Sequence, residues 1–446
     1  MNFEKPDRSS FDFTRRVRLA ASSSAAVRGA LLLLVVQGAP CLGQTCGSFV
    51  LAGESSGDFA VARLTASGTL DTTFSPGGLD GSGVRRFGIS GDDTARAVAV
   101  QDDGKIVVVG GTSDDVAVVR LTATGALDPT FSPGGLDGSG VKVFAVSGLD
   151  RAHAVALQPD DKIVVAGEAG GDFLVARLTA SGSLDATFSP GGLDGNGVLR
   201  LGISGFDVAR GLAIQPDGKI VVVGDASEDI AVVRLTANGA LDTTFSPGGL
   251  DGPGVYRFNI SGDDSANAVA LQPDGKIVVA GNGGLQMAVV RLTSSGALDG
   301  TFSPNGTDGS GIRLIGIAGS DAANAIVLQP NGKIVVAGRA GLGFAVVRLT
   351  SGGALDTTFS PGGTGGSGIQ LLYMNGADVA YGLIRLTGGK FLVAGGANGD
   401  FCVVGLNANG TLDTSFSPGG NSSGDGGSGI HMFNISGFDA AYGIAH

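Results

Sequence analysis

One spacing governs this chain. A Leu-Asp pair ahead of a Phe-Ser-Pro run recurs with its Asp at Asp71, Asp128, Asp185, Asp242, Asp299, Asp356 and Asp413, 57 residues apart each time. The Lys of a "DGKIVV"-like element recurs at Lys105, Lys162, Lys219, Lys276, Lys333 and Lys390 with the same period. A period of this length means that each unit is one supersecondary element. Such a unit buries its apolar faces only against its neighbours.

Each unit holds four strand-like segments. In the second they are "ARAVAVQ" (95–101), "KIVVVGG" (105–111), "VAVVRLT" (116–122) and "VKVFAVS" (141–147), here called A, B, C and D. An Asp-Gly pair suits a tight A–B hairpin. B and C are joined by short variable loops, C and D by a long near-constant stretch such as "LDTTFSPGGLDGSG", and D returns to the next A through "SGxD". With 16% charged residues, 80 glycines and no sustained helical period, the chain reads as all-β. Four short antiparallel strands per unit specify a propeller blade. Ala97, Ala154, Gly211, Ala268, Ala325, Gly382 and Gly443 share one register of segment A, as crowding around a central axis requires. The expected fold is a seven-bladed β-propeller of four-stranded antiparallel blades.

"LDTTFSPGG", "QPDGKIVVVG" and "AVVRLTATG" resemble the delta-60 repeat, a bacterial β-propeller family found largely in exported proteins. The resemblance covers residues 44–446 and implies a propeller and export, with no activity to carry over. Two departures stand out. "CGSFVLAG" replaces "DGKIVVAG" at Cys46–Gly53, and Gly405 replaces the Arg found at Arg63, Arg120, Arg177, Arg234, Arg291 and Arg348.

The two ends of the repeat array are complementary. "SFVLAG" (48–53) is a B segment with no A before it, and "AAYGIAH" (440–446) is an A segment with no B after it. From Gln44 to His446 there are 403 residues, seven units of 57 plus a four-residue insertion in "SPGGNSSGDGGSG". The expectation is a ring closed by pairing the C-terminal inner strand with the N-terminal strands. Closure removes sheet edges that would otherwise pair with other chains.

Residues 1–43 differ in kind. Arg15, Arg16, Arg18 and Arg28 precede "GALLLLVV" and then small residues, the pattern of a secretory signal peptide cut after Gly43. The apolar run is too short for a spanning helix. The protein is therefore expected to be secreted, periplasmic or at the cell surface, without a transmembrane segment and as a monomer. That segment holds six basic and three acidic residues, so its removal moves the net charge from −12 to −15. Such acidity disfavours nucleic acid, whose phosphates need Lys and Arg clusters.

Few motifs carry chemistry. The repeated Arg and Leu-Asp residues suit a buried Arg–Asp bond between sheets, and Phe74 with its equivalents suits core anchors. "GESSG" (53–57) matches a nucleophile elbow by pattern but lies in a B–C loop with no His partner. The three His share no metal-ligand spacing. Cys46 and Cys402 fall on different rims and are expected to be unpaired.

Two rings remain. The D–A loops supply Asp93, Asp150, Asp207, Asp264, Asp321, Asp378 and Asp439, an acidic rim that would attract cations or basic partners unless each Asp ties down its own turn. Calcium is one cation it could take, although no EF-hand-like spacing is present. Three residues on stand Arg96, His153, Arg210, Asn267, Asn324, Tyr381 and Tyr442, varied residues beside the channel mouth that read as a ligand site. The leading expectation is an exported, non-catalytic interaction or structural module with a protein or surface partner. The alternative is an enzyme, or a small-ligand or cation binder, at the acidic rim around the channel mouth.

Overall fold

The computed structural model describes residues 47–446 except 79, 135–137, 192–193, 196, 305–308, 310, 375 and 419–427. The expected signal peptide at 1–43, Cys46 and the four-residue insertion lie outside the described residues. The strands form seven four-stranded antiparallel sheets. Blade 2 runs outward from the axis as Asp93–Val100, Ile106–Thr112, Asp115–Leu121 and Val141–Phe144. Blades 3 to 7 follow with inner strands Asp150–Leu157, Asp207–Ile214, Asp264–Leu271, Asp321–Leu328 and Val379–Arg385. Among the described residues no helix is long and apolar enough to cross a membrane.

The burial gradient explains the residue types. Segments B and C are covered on both faces, so they read as unbroken apolar runs such as Ile106–Thr112, buried throughout. The outer strands are only four residues long and half-exposed, as in Val84–Phe87 and Val198–Leu201. Short edges carrying Arg85, Arg86 and Arg200 discourage edge-to-edge pairing.

Adjacent blades are fastened by one repeated clasp. Arg177 donates from Nε to Asp185 Oδ2 (2.8 Å), from Nη2 to Thr187 Oγ1 (3.0 Å), and from Nη1 to the Ala237 carbonyl of the next blade (2.6 Å). Its guanidinium lies over the Phe188 ring, 4.9 Å from the centroid. The ring in turn packs on Gly239 of the next blade, where a Cβ would come within 2.8 Å of it. The expected Arg–Asp bond and Phe anchors are thus present, and each Arg also spans the seam. Blade 7 lacks the Arg at Gly405. There Phe416 takes up the vacated space, its Cβ only 2.7 Å from where a Gly405 Cβ would stand, and Lys390 Nζ binds Asp413 Oδ2 at 2.6 Å.

The ring closes as expected. Asp439–Ala445 pairs antiparallel with Ser48–Ser55, in the register Val50↔Ala445 to Ser55↔Asp439, and becomes the inner strand of blade 1. The last seam repeats the others. Ser417 N–H donates to the Ser67 carbonyl at 2.7 Å, as Ser189 does to Asn238 at 2.8 Å, and Phe416 packs on Gly68.

Candidate functional site at the channel mouth

Every inner strand carries a β-bulge at one register. Pairing with the second strand skips a residue between Ala95 and Ala97, and likewise in the other six blades. The skipped residues are Arg96, His153, Arg210, Asn267, Asn324, Tyr381 and Tyr442. The cause lies on the second strand. Gly53, Gly110, Gly167, Gly224, Gly281, Gly338 and Gly395 each let a bulge carbonyl come within 1.8–2.0 Å of where a Cβ would stand. A bulge frees one side chain from the alternation of the ladder and re-aims it. All seven bulge residues therefore leave the blade interior at the same height.

Four of them touch a neighbour around the axis. Asn267 Nδ2 donates to Ala323 O (3.0 Å) and to Asn324 Oδ1 (3.3 Å), and Asn324 Nδ2 to Ala380 O (2.9 Å). The Tyr381 and Tyr442 rings meet edge to face at 5.1 Å. The Arg210 guanidinium binds Asp225, whose carboxylate also accepts from Ser265 Oγ at 3.3 Å.

The residue after each bulge glycine forms a second belt: Glu54, Gly111, Glu168, Asp225, Asn282, Arg339 and Gly396. Tyr442 O–H donates to Glu54 Oε1 (2.7 Å) and Thr94 Oγ1 to Glu54 Oε2 (3.0 Å). His153 Nε2 lies 3.5 Å from Glu168 Oε1. At Gly111 no side chain is present, and the Arg151 stem of the next blade lies over the space, its Cγ 2.9 Å from where a Cβ would be. Sequence reasoning missed Glu54, Arg151 and Arg339. For Glu54 and Arg339 the signal was the fixed step of one residue past each bulge glycine; Arg151, on the inner strand of blade 3, had no such signal.

Burial sets the charges. It lowers the His153 pKa to about 4, against the opposing pull of Glu168, so the imidazole is neutral near pH 7. Burial pushes the Tyr381 phenol up to about 12. Tyr442 moves the same way, through burial and then the Glu54 charge. Both are protonated phenols near pH 7 rather than bases. Ser55 of the "GESSG" stretch is fully buried in its strand and donates to Ser436 O at 3.2 Å. It is a structural hydroxyl.

The seven D–A aspartates sit at this rim but do not face solvent. Asp207 is fully buried and accepts from the Ile203 N–H (2.5 Å) and the Ser204 N–H (3.1 Å). Asp93, Asp150, Asp264, Asp321, Asp378 and Asp439 bind their own turns in the same way. The expected acidic rim is therefore buried rather than solvent-facing: each carboxylate accepts from its own loop, while Asp378 Oδ1 and Asp439 Oδ1 are buried without a hydrogen-bond partner among the described residues. Burial raises the pKa of Asp150, Asp207 and Asp378. The exposed acids there are Asp92, Asp114, Glu228 and Asp263. Among the described residues no group of three or more His, Cys, Asp or Glu could hold a metal. Apolar side chains share the rim: Phe206, Leu285, Leu342, Tyr373 and Phe438 are each at least 60% exposed.

Seven stretches, 46–74, 101–131, 158–188, 215–245, 272–302, 329–359 and 386–416, match the family described as "Domain of unknown function (DUF5122) beta-propeller". The chain is a β-propeller repeat protein. The matched stretches run from segment B through the Leu-Asp-Phe element, so the match follows the clasp and leaves out the inner strands that carry the bulge residues. No curated protein matches the propeller in sequence. Among solved structures it is similar to a protein from Lactobacillus plantarum (11% identity, covering 89% of this chain and 98% of that one, TM-score 0.46). It is also similar to virginiamycin B lyase from Staphylococcus aureus (11%, 71% and 82%, 0.41). A third is a quinonprotein alcohol dehydrogenase-like protein from Bacteroides thetaiotaomicron (11%, 89% and 77%, 0.45). At these values the structures bear on neither activity nor site.

Proposed function

We propose that this propeller is an exported, non-catalytic binding module that engages a protein partner through the channel-mouth rim. One observation carries the reading. Of the six large apolar side chains most exposed among the described residues, five (Phe206, Leu285, Leu342, Tyr373 and Phe438) stand on that rim, and Leu250 alone is elsewhere. Apolar and aromatic residues collected on one face favour protein association. The delta-60 resemblance and basic-apolar leader support export. Fold alone could not choose, since propellers host many functions.

The test is a capture experiment from the native extracellular or periplasmic fraction. The wild-type propeller should retain a partner that Phe206→Ser/Phe438→Ser releases and Leu250→Ser keeps. Equal capture by all three would overturn the reading.

A further inference from the structure

The repeat supplies its own internal control, and blade 2 differs from the blades on either side of it. In blade 4 the bulge residue Arg210 is neutralised by Asp225, 15 positions on. In blade 3 the bulge residue His153 faces Glu168 at the same offset. In blade 2 the bulge residue is Arg96, and the residue 15 positions on is Gly111. Arg96 has no hydrogen bond or ion pair among the described residues, and its Nε is buried without a partner. The space above Gly111 is entered by a second guanidinium, that of Arg151, which likewise has no such partner among the described residues. Arg96 and Arg151 therefore lie within electrostatic range of each other in the blade that has Gly111 where its neighbours carry Glu54 and Glu168.

The flanking acids do not fill the gap. Glu54 accepts from Tyr442 O–H and Thr94 Oγ1, and Glu168 faces His153. Burial lowers the Arg96 pKa, and the Arg151 charge lowers it further, while Tyr442, Glu54 and Glu168 oppose this. Guanidinium does not shed its proton in proteins, so both stay charged; Glu54 and Glu168 act on Arg96, and Glu168 on Arg151, without a bonded contact. A half-buried charge without a bonded partner is costly, and planar guanidinium is suited to bidentate capture of an oxyanion.

We propose that Arg96 and Arg151, beside Gly111, form a binding site for the anionic oxygens of a carboxylate- or phosphate-bearing ligand at the channel mouth. The ligand's oxyanion takes the place that the Asp225 carboxylate occupies in blade 4. This rests on the mouth being a binding surface, but it needs no protein partner.

The experiment is thermal unfolding of the full chain by circular dichroism at constant ionic strength, titrated separately with inorganic phosphate and with acetate. Wild-type protein should show saturable stabilisation by at least one anion. A phosphate response alone assigns the site to phosphate esters, and an acetate response alone to carboxylates. Arg96→Gln and Arg151→Gln should each weaken the apparent affinity by about 10- to 100-fold, the effect of losing a charged hydrogen-bonding partner. Gly111→Asp copies blade 4 and should raise the anion-free melting temperature while removing the response. Gly111 is not in the left-handed region, and its nearest neighbour is a movable Arg151 stem, so the fold can accept it. No saturable response to either anion in the wild type would overturn the proposal. So would an undiminished response in Arg96→Gln, which settles the matter even if Gly111→Asp fails to fold. Phe206→Ser/Phe438→Ser should keep the anion response, which separates failure of this site from failure of the partner-binding rim.

Discussion

Arg177→Met isolates one inter-blade clasp. The substitution keeps an unbranched stem over Phe188 and removes three charge-assisted bonds, including the 2.6 Å bond to Ala237 O across the seam. It strands Asp185, whose side chain is 6% exposed. Breaking a buried pair by deleting one partner costs about 3–5 kcal/mol. The Thr187 bonds to Asp185 survive, and Lys162 Nζ remains 3.5 Å from Oδ2, so the lower end, about 3 kcal/mol, is expected. Part of this is linked to pH. Burial alone would raise the Asp185 pKa, but the Thr187 bonds and then the Arg177 and Lys162 charges overcome it and hold the carboxyl at about 2, against 3.8 unperturbed. A depressed carboxyl pKa stabilises the fold above the unfolded pKa, and that contribution, about 2 kcal/mol, is lost as pH falls through the folded value. The deficit of Arg177→Met should therefore be largest near neutrality and shrink between about pH 4 and pH 2. The chain has no Trp, so urea unfolding followed by far-ultraviolet circular dichroism is the assay. A loss below about 1 kcal/mol, or one that does not change with pH, would refute the clasp as the seam's main polar fastening.

Other perturbations probe the remaining links. Lys390→Met should destabilise more than Lys162→Met in the same unfolding assay, because Asp413 faces Gly405 and has Lys390 as its sole cation among the described residues, whereas Asp185 also has Arg177. Removing Asp439–His446 should expose the edge of Ser48–Ser55 and produce aggregation visible by light scattering. A monomeric deletion that unfolds like the wild type would contradict the closure. Gly224→Ala places a Cβ 1.9 Å from Val208 O, so blade 4 should lose protection of its inner-strand amides in hydrogen exchange. Unchanged protection would mean that the bulge does not require glycine. The Cys402 thiol is fully buried, with its pKa raised by that burial, so it should resist thiol reagents until the protein unfolds.

Blade number, strand order, ring closure, the Arg–Asp bond and the Phe anchors were all legible in the sequence, because a fixed period converts one unit's pattern into all the others. Arg120 illustrates why. Alternation put it on the face of Val116 and Val118, and it does cross to the Ala180 carbonyl of blade 3. Side-chain direction at the loops and at the bulge was less legible. The aspartates of "SGxD" looked like a charged rim because their loop position was clear while the inward turn of each carboxylate depends on backbone N–H groups four residues back. The belt of Arg96 and its equivalents was placed near the mouth, but a strand read at period two gives no reason for those residues to leave the blade. The missing piece was the glycine facing each bulge, which at sequence level looked only like a small residue ending a strand.

That glycine also explains how a near-identical repeat can carry unlike chemistry. Within the ladder, a residue is fixed by what it packs against, so Val107 and its equivalents stay apolar and buried. At a bulge, the skipped residue is outside the register, and exchanging its side chain leaves the neighbouring pairs intact. The bulge glycine has no such freedom, since any Cβ there would overlap a carbonyl. The seven blades behave accordingly: all keep the glycine, while the bulge position holds Arg, His, Asn or Tyr. Scaffold and mouth are thus separable at the level of single residues. Gly111, one step past a bulge glycine, lies on the permissive side of that division. Its lack of a side chain is then a property of the mouth, and Gly111→Asp tests the mouth without testing the fold.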